Sequence, residues 1–214
     1  MIFDSKIYVS LRLMRKKLIS YAWMRQKLTR TLSNGLQLSH ADLLRRRYSR
    51  LKSYMRKNDD RLRVLENLAI LDTAPEMVFD DLTRAMAQTF DVPMAMVNLL
   101  DADRDWFKAS IGLPVTESPA STSFCEVFLN TDHNMVVAPD TLLDARFASH
   151  PLVIGPPHIR FYAAARLQVS GQTVGTLCVY DVCVKQVSRM QIEEFKALSN
   201  AAMELLARRI SLPT

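Results

Sequence analysis

Two apolar runs, 160–169 and 173–182, are separated only by Ser170-Gly171-Gln172. Both runs are rich in β-branched and aromatic residues. A glycine in so short a connection supplies the backbone freedom that a tight reversal needs. The pattern predicts a β-hairpin, and an isolated hairpin is at best marginally stable in water. Further strands and a covering layer must therefore lie elsewhere in the chain. The stretch 94–101 (MAMVNLLD) is apolar enough for a central strand. Ala102-Asp103 predicts a turn, 104–110 (RDWFKAS) a returning strand, and 135–139 (MVVAP) another.

Helical spacing appears on both sides of these strands. Leu62, Leu65, Leu68 and Ala69 predict a short helix over 61–71 with Asp60 as its N-cap. Asp72-Thr73-Ala74-Pro75 ends that helix, because proline disfavours a helical residue before it. Phe79, Leu82, Met86 and Phe90 predict a helix over 76–90. Ser188 caps a closing helix over 188–210, with Met190, Phe195, Leu198, Ala202, Leu205 and Leu206 recurring on one side. Residues 123–129 predict a further short helix, and 141–157 a long irregular connection. Such connections in compact domains are often functional. The element order predicts an α+β fold, an antiparallel sheet with flanking helices.

Charge divides the chain in two. Residues 1–57 hold fifteen Lys and Arg against two Asp and Glu, a net +13, while the remainder carries −7. Within this arm Ile7, Leu11, Met14, Leu18, Tyr21, Leu28 and Leu32 form a helical stripe that Arg25 interrupts, and a second helix is predicted over 41–57. The expected organisation is a basic amphipathic helical extension, 1–57, followed by a sensory domain, 58–210. A basic helix of this kind suits an anionic membrane surface or the phosphates of nucleic acid. Pairing with a second copy is the other option. A start at Met55 would make the arm an artefact of start-site choice.

No stretch approaches the roughly 20 apolar residues of a membrane span. The first residues also lack the uninterrupted apolar core of a secretory signal. The three cysteines, Cys125, Cys178 and Cys183, form no C-x-x-C and cannot all pair within one chain. A reducing, cytoplasmic location is the expectation.

The stretch 61–114 together with SFCEVFL, VVAPDTLLDARFASHPLV, IRFYAAARL and GTLCVYD resembles, in order, the blocks of bacterial GAF sensor domains. The resemblance runs over about 61–207. It implies a sheet of about five or six antiparallel strands, helices on one face, and a ligand pocket on the other. The crossing segment near 117–157 would roof that pocket. It also implies dimerisation through the first and last helices. Nothing follows Thr214, so the signal is expected to pass to a separate signalling protein rather than to an attached output module. Relatives tend to have glycine at Ala164 and proline at Arg166. The N-K-F-D-E signature of cyclic-nucleotide-binding members is absent. So is the Cys-His pair that anchors a bilin, since Glu126 follows Cys125.

No P-loop, G-x-S-x-G or paired carboxylates tied to a base appear, so the chain is expected to be a regulator rather than an enzyme. His40, His133, His150 and His158 show no metal-ligand spacing. The expected ligand-binding residues are Trp106, Phe124, Cys125, Asp140, Phe147, Arg160 and Tyr162, with Phe161 beside them. Aromatic surface joined to convergent charge is the usual lining of a small-molecule pocket. The Arg160 fork suits a carboxylate or phosphate, and the alternative is that it meets an acidic neighbour. Asp144 and Arg146 can brace the loop. Cys125, two residues after Ser123, could have its thiol activated at a helix N-terminus, or be a small core residue. That leaves a thiol-based redox sensor or enzyme as a further reading. The bound small molecule itself is not identified by the sequence.

Overall fold

The structure, a computed structural model, describes residues 54–210. The striped helix over 5–33 and most of the helix over 41–57 lie outside the described residues, which begin with a helical turn at residues 54–56. Helix α1 is Asp59–Asn67 and α2 is Met77–Phe90. Strands β1 (Met94–Leu100), β2 (Arg104–Ile111) and β3 (Glu117–Pro119) follow. Two 3-10 turns, Ala120–Thr122 and Phe124–Leu129, lead to β4 (Met135–Ala138). A single helical turn, α3 (Pro151–Ile154), precedes β5 (Phe161–Val169), β6 (Gln172–Asp181) and α4 (Arg189–Ile210). The sheet order is β3-β2-β1-β6-β5-β4, with every neighbouring pair antiparallel. The α+β, GAF-like expectation of an antiparallel sheet with flanking helices holds.

The local signals explain most boundaries. Asn58, rather than Asp60, caps α1 by accepting from Arg61 N at 2.9 Å. Asp60 lies inside the first turn, where its charge still suits the helix dipole. Ser188 caps α4 in a reciprocal box: its Oγ accepts from Gln191 N, and its own N–H donates to Gln191 Oε1 at 2.8 Å. Ser170 and Gly171 both take positive φ, 50° and 75°, which closes the β5–β6 hairpin with the twist the strands require. Strand β3 and helix α3 were not expected. Each is too short to carry a periodic signal.

Alternation along the strands sorts side chains into two cores. On one face Val97, Leu99, Ala163, Leu167, Leu177 and Val179 pack against Leu65 of α1, Phe79 and Met86 of α2, and Phe195, Ala202 and Leu206 of α4. On the other face Met96, Leu100, Tyr162, Ala164, Cys178 and Tyr180 lie beneath Phe124, Phe128, Phe147 and Val153. Met190, expected on the inner side of α4, stands in its first turn and is exposed.

Candidate functional site

The second face is a cup whose floor is β1, β6 and β5 and whose roof is the turn Phe124–Leu129 and the connection 141–159. Four of the expected residues meet in it. The Phe124 ring lies 5.3 Å from Phe147 and 5.1 Å from Tyr162, and Phe147 lies 5.1 Å from Tyr162. Cys125 is fully buried among them and accepts from Tyr162 OH at 3.4 Å. Tyr180 completes the cluster at 5.0 Å from Tyr162, and His150 stacks on Phe124 at 3.9 Å. The aromatic side chains themselves occupy the interior, and none of Phe124, Phe147 and Tyr162 is more than 3% exposed. Each such ring contributes about 1.5–3 kcal/mol of burial. Room for a guest would require these rings to be displaced.

Trp106 and Phe161 are placed elsewhere, which corrects the expected lining. Trp106 faces the helices, within 5.9 Å of the Lys108 ammonium, and Phe161 packs 6.0 Å from Phe90 of α2. The reason is the period of two along a strand: Tyr162 points into the cup, so its neighbour Phe161 cannot. Trp106 is likewise adjacent to Phe107, which is a cup residue.

Asp140 and Arg160 stand at the edge and hold each other. Arg160 Nε and Nη2 donate to the two Asp140 oxygens at 3.1 and 2.8 Å. The Arg160 hydrogen bonds hold the Asp140 carboxyl below its ordinary range, and the same pairing raises Arg160. The fork meets an acidic neighbour, as one of the two sequence readings had it. Asp144 and Arg146 pair within the same connection, so they brace the roof. Arg166 donates to the carbonyls of Thr131 and His133 and to Thr173 Oγ1, and lies over Phe128. It pins the 131–133 turn to β5, and burial lowers its pKa.

A buried ionic network that sequence reasoning missed joins the roof to the described start of the chain. Arg56 is 3% exposed. Its guanidinium donates to Asp105 Oδ1 at 2.5 Å, to Glu126 Oε2 at 2.9 Å, and to the carbonyls of Asp101 and Arg104. Burial works against the Arg56 charge, but Asp105 and Glu126 outweigh it and raise its pKa. Asp105 also accepts from Asn98 Nδ2 at 3.0 Å and from Ser123 Oγ at 2.5 Å. Ser123 thus anchors the roof to β2 instead of capping it with its side chain. Asn98 Oδ1 has no partner among the described residues. Arg61 donates to the carbonyls of Arg56 and Leu100, and burial followed by the Arg56 charge lowers it to about 10. Arg56 sits within the arm as read from sequence, yet it is built into the body. No local pattern marks it, because its partners lie 49 and 70 residues away.

The sheet order, the helices on one face and the roofed cup on the other define a GAF-type module. The GAF domain family model matches residues 74–210, and the chain belongs to that family. A cyclic di-GMP phosphodiesterase of Pseudomonas aeruginosa is 37% identical over 129 residues, 60% of this chain. The matched stretch is only 22% of that relative's length. Among solved structures, the GAF domain of an Acinetobacter phosphoenolpyruvate-protein phosphotransferase superposes with a TM-score of 0.53 at 17% identity. That match covers 73% of this chain and 98% of the other. The PixJ GAF domain of Thermosynechococcus elongatus, in its blue-light absorbing form, gives 0.51 at 15% identity, covering 62% and 84%. At these identities the two structures speak for the fold alone.

Among the described residues no helix is long and apolar enough to cross a membrane, and no group of three or more His, Cys, Asp or Glu is arranged to hold a metal ion.

Proposed function

We propose that this GAF protein is a regulatory receptor in signal transduction: a small molecule binds in the cup, shifts the roof, and changes how the chain engages a separate partner. One observation carries the reading. The roof residues Ser123 and Glu126 are held by the same Asp105–Arg56 ion pair that fixes the last turn before α1. Displacing Phe124 or Phe147 to admit a guest strains Ser123 and Glu126 on either side of Cys125. The strain falls on Arg56, where the basic arm joins the body. A ligand moves this equilibrium only by binding one roof position better than the other.

The network also supports a regulatory role over a catalytic one. The two buried carboxylates of the cup rim, Asp105 and Glu126, both bind Arg56, and Asp105 also accepts from Asn98 and Ser123, so their oxygens are engaged in holding the rim together. Similarity to a cyclic di-GMP phosphodiesterase supports a place in signalling. Native mass spectrometry of the chain purified from its own host tests the reading. Retention of a small molecule by the wild type, and its loss on Phe124→Ala or Tyr162→Ala, is the expected result. A bare chain, with a melting temperature unmoved by a panel of cellular metabolites, would remove the receptor reading.

A further inference from the structure

Cys125 and Cys178 lie 53 residues apart in sequence, and the fold brings their sulfurs to 3.8 Å. Cys125 comes from the roof turn and Cys178 from the floor strand β6, so the pair bridges the two walls of the cup. Both are fully buried. Three hydroxyls surround the pair: Thr176 Oγ1 stands 3.0 Å from Cys125 Sγ and 3.8 Å from Cys178 Sγ, Tyr162 OH donates to Cys125 Sγ at 3.4 Å, and Tyr180 OH stands 3.9 Å from it. Two cysteines serving only as small apolar fillers would not need them.

The surroundings divide the roles of the two thiols. Burial opposes ionisation of Cys125, but its hydrogen bonds with Cys178, Thr176 and Tyr162 outweigh it and lower its pKa. Burial, together with the neighbouring Cys125, pushes Cys178 well above the usual thiol range. The closest hydroxyls, Thr176 at 3.0 Å and Tyr162 at 3.4 Å, stand on Cys125 and suit a thiolate there, which makes Cys125 the attacking sulfur and Cys178 the resolving one.

We propose that Cys125 and Cys178 form an oxidisable dithiol site, converted by a hydroperoxide into an intramolecular disulfide that ties the roof of the cup to β6. The Cys125 thiolate attacks the terminal peroxide oxygen. An S–O bond forms and the O–O bond breaks. The departing oxygen takes up a proton and leaves as water, or as an alcohol from an alkyl hydroperoxide. Cys178 then attacks the Cys125 sulfenic sulfur. The S–S bond forms, the S–OH bond breaks, and the hydroxide leaves as water with the Cys178 proton. Two thiols are oxidised by two electrons, and one hydroperoxide is reduced.

A disulfide needs the sulfurs about 2.0 Å apart, so closure asks for an approach of roughly 1.8 Å. Rotation of the two side chains supplies part of this approach, and any remainder draws the roof turn toward β6 against the hold of Asp105 and Arg56 on Ser123 and Glu126. Hydrogen peroxide is close to water in size, so a brief opening of the roof admits it where a bulky oxidant is refused. This site shares the cup with the receptor reading but does not rest on it. A chain that retains no small molecule can still form the bond.

Cys183 is exposed and outside the cup, which makes it an internal control. Exposure alone would make Cys183 the first sulfur to oxidise. The test is to treat the reduced 214-residue chain with hydrogen peroxide, unfold it in an alkylating reagent, and read intact and peptide masses. The expected product has lost two hydrogens, alkylates only at Cys183, and yields a Cys125–Cys178 linked peptide that dithiothreitol abolishes. Cys183→Ser forms the same link. Cys178→Ser halts at a Cys125 sulfenic acid that dimedone traps. Should that variant not fold, the wild type and Cys183→Ser decide the matter alone. All three thiols alkylating after peroxide, or links that involve Cys183 or join two chains, would overturn the proposal.

Discussion

The two faces of the sheet are packed from different materials. The helix side is mainly apolar, with Phe90 against Phe195 at 5.0 Å and Leu177 and Val179 fully buried, and its principal buried charge is Lys108, paired with Glu76 at 2.6 Å. Its energetics are those of apolar burial, which is non-directional and tolerant of small shifts. The cup side carries Tyr162, Tyr180, Thr176, two thiols, and the Arg56–Asp105–Glu126 network at its rim. Buried polar groups need particular partners in particular places, so this face has few arrangements that satisfy it. One face holds the domain together. The other is held by specific pairings, and it is the face on which the proposed ligand or oxidant would act.

The sharpest way to break this contrast is Arg56→Met. It leaves Asp105 and Glu126 buried without their cation, and an orphaned buried charge costs about 3–5 kcal/mol. Urea denaturation of the intact chain should show that loss. Adding Asp105→Asn and Glu126→Gln should recover much of it, because no unpaired charge then remains. A full loss that persists in the triple variant would mean Arg56 acts by packing rather than by charge.

Leu177→Ala, on the helix side, should cost about 3 kcal/mol through lost burial and a residual cavity. Hydrogen exchange should then quicken throughout the sheet, as expected for a weaker global core. Ser123→Ala removes one donor from Asp105 and should cost about 1.5–3 kcal/mol, the range for hydrogen bonds to charged groups. Its effect on exchange should be confined to the Phe124–Leu129 turn and its neighbours. If Ser123→Ala instead loosens α2 and α4 equally, the two faces are not separable.

The smallest effect concerns pH. Burial works to raise the Glu76 carboxyl, but hydrogen bonds and charges from Lys108 and Arg209 prevail and hold it below its usual 4.5. A carboxyl depressed in the folded state stabilises fully above its unfolded value, and that stabilisation is lost as pH falls through the folded one. Wild type and Glu76→Gln should therefore differ in melting temperature at neutral pH and converge in acid below 4.5. A difference that grows in acid would reverse the assignment.

Much of the scaffold was legible before any coordinates. The apolar run at 94–101, the Ser170-Gly171 reversal and the 3.6-residue spacing of Phe79, Leu82, Met86 and Phe90 each report a period that local geometry imposes. The GAF blocks supplied an antiparallel sheet of five or six strands with helices on one face, and the structure supplied the strand order. Less of the site could be read. Of the residues expected to line a pocket, Phe124, Cys125, Phe147 and Tyr162 adjoin one another in the structure. Trp106 and Phe161 were misplaced because the strand phase was not applied to them. The spacing Thr176, Cys178, Tyr180 puts those three on one face, and it was the available signal for the rest of the cup floor.

By itself the sequence determined the longer helices and strands, which family they assemble into, and how sharply a basic arm differs from an acidic body. Those properties depend on neighbours within a turn or two along the chain. Only the tertiary structure decided that Arg56 belongs to the body, that Arg160 is already held by Asp140, and that Cys125 meets Cys178. Each of those is a meeting of groups 20 or more residues apart. Such contacts are set by how sheet and roof close on one another, and distance along the chain leaves no periodic trace of them.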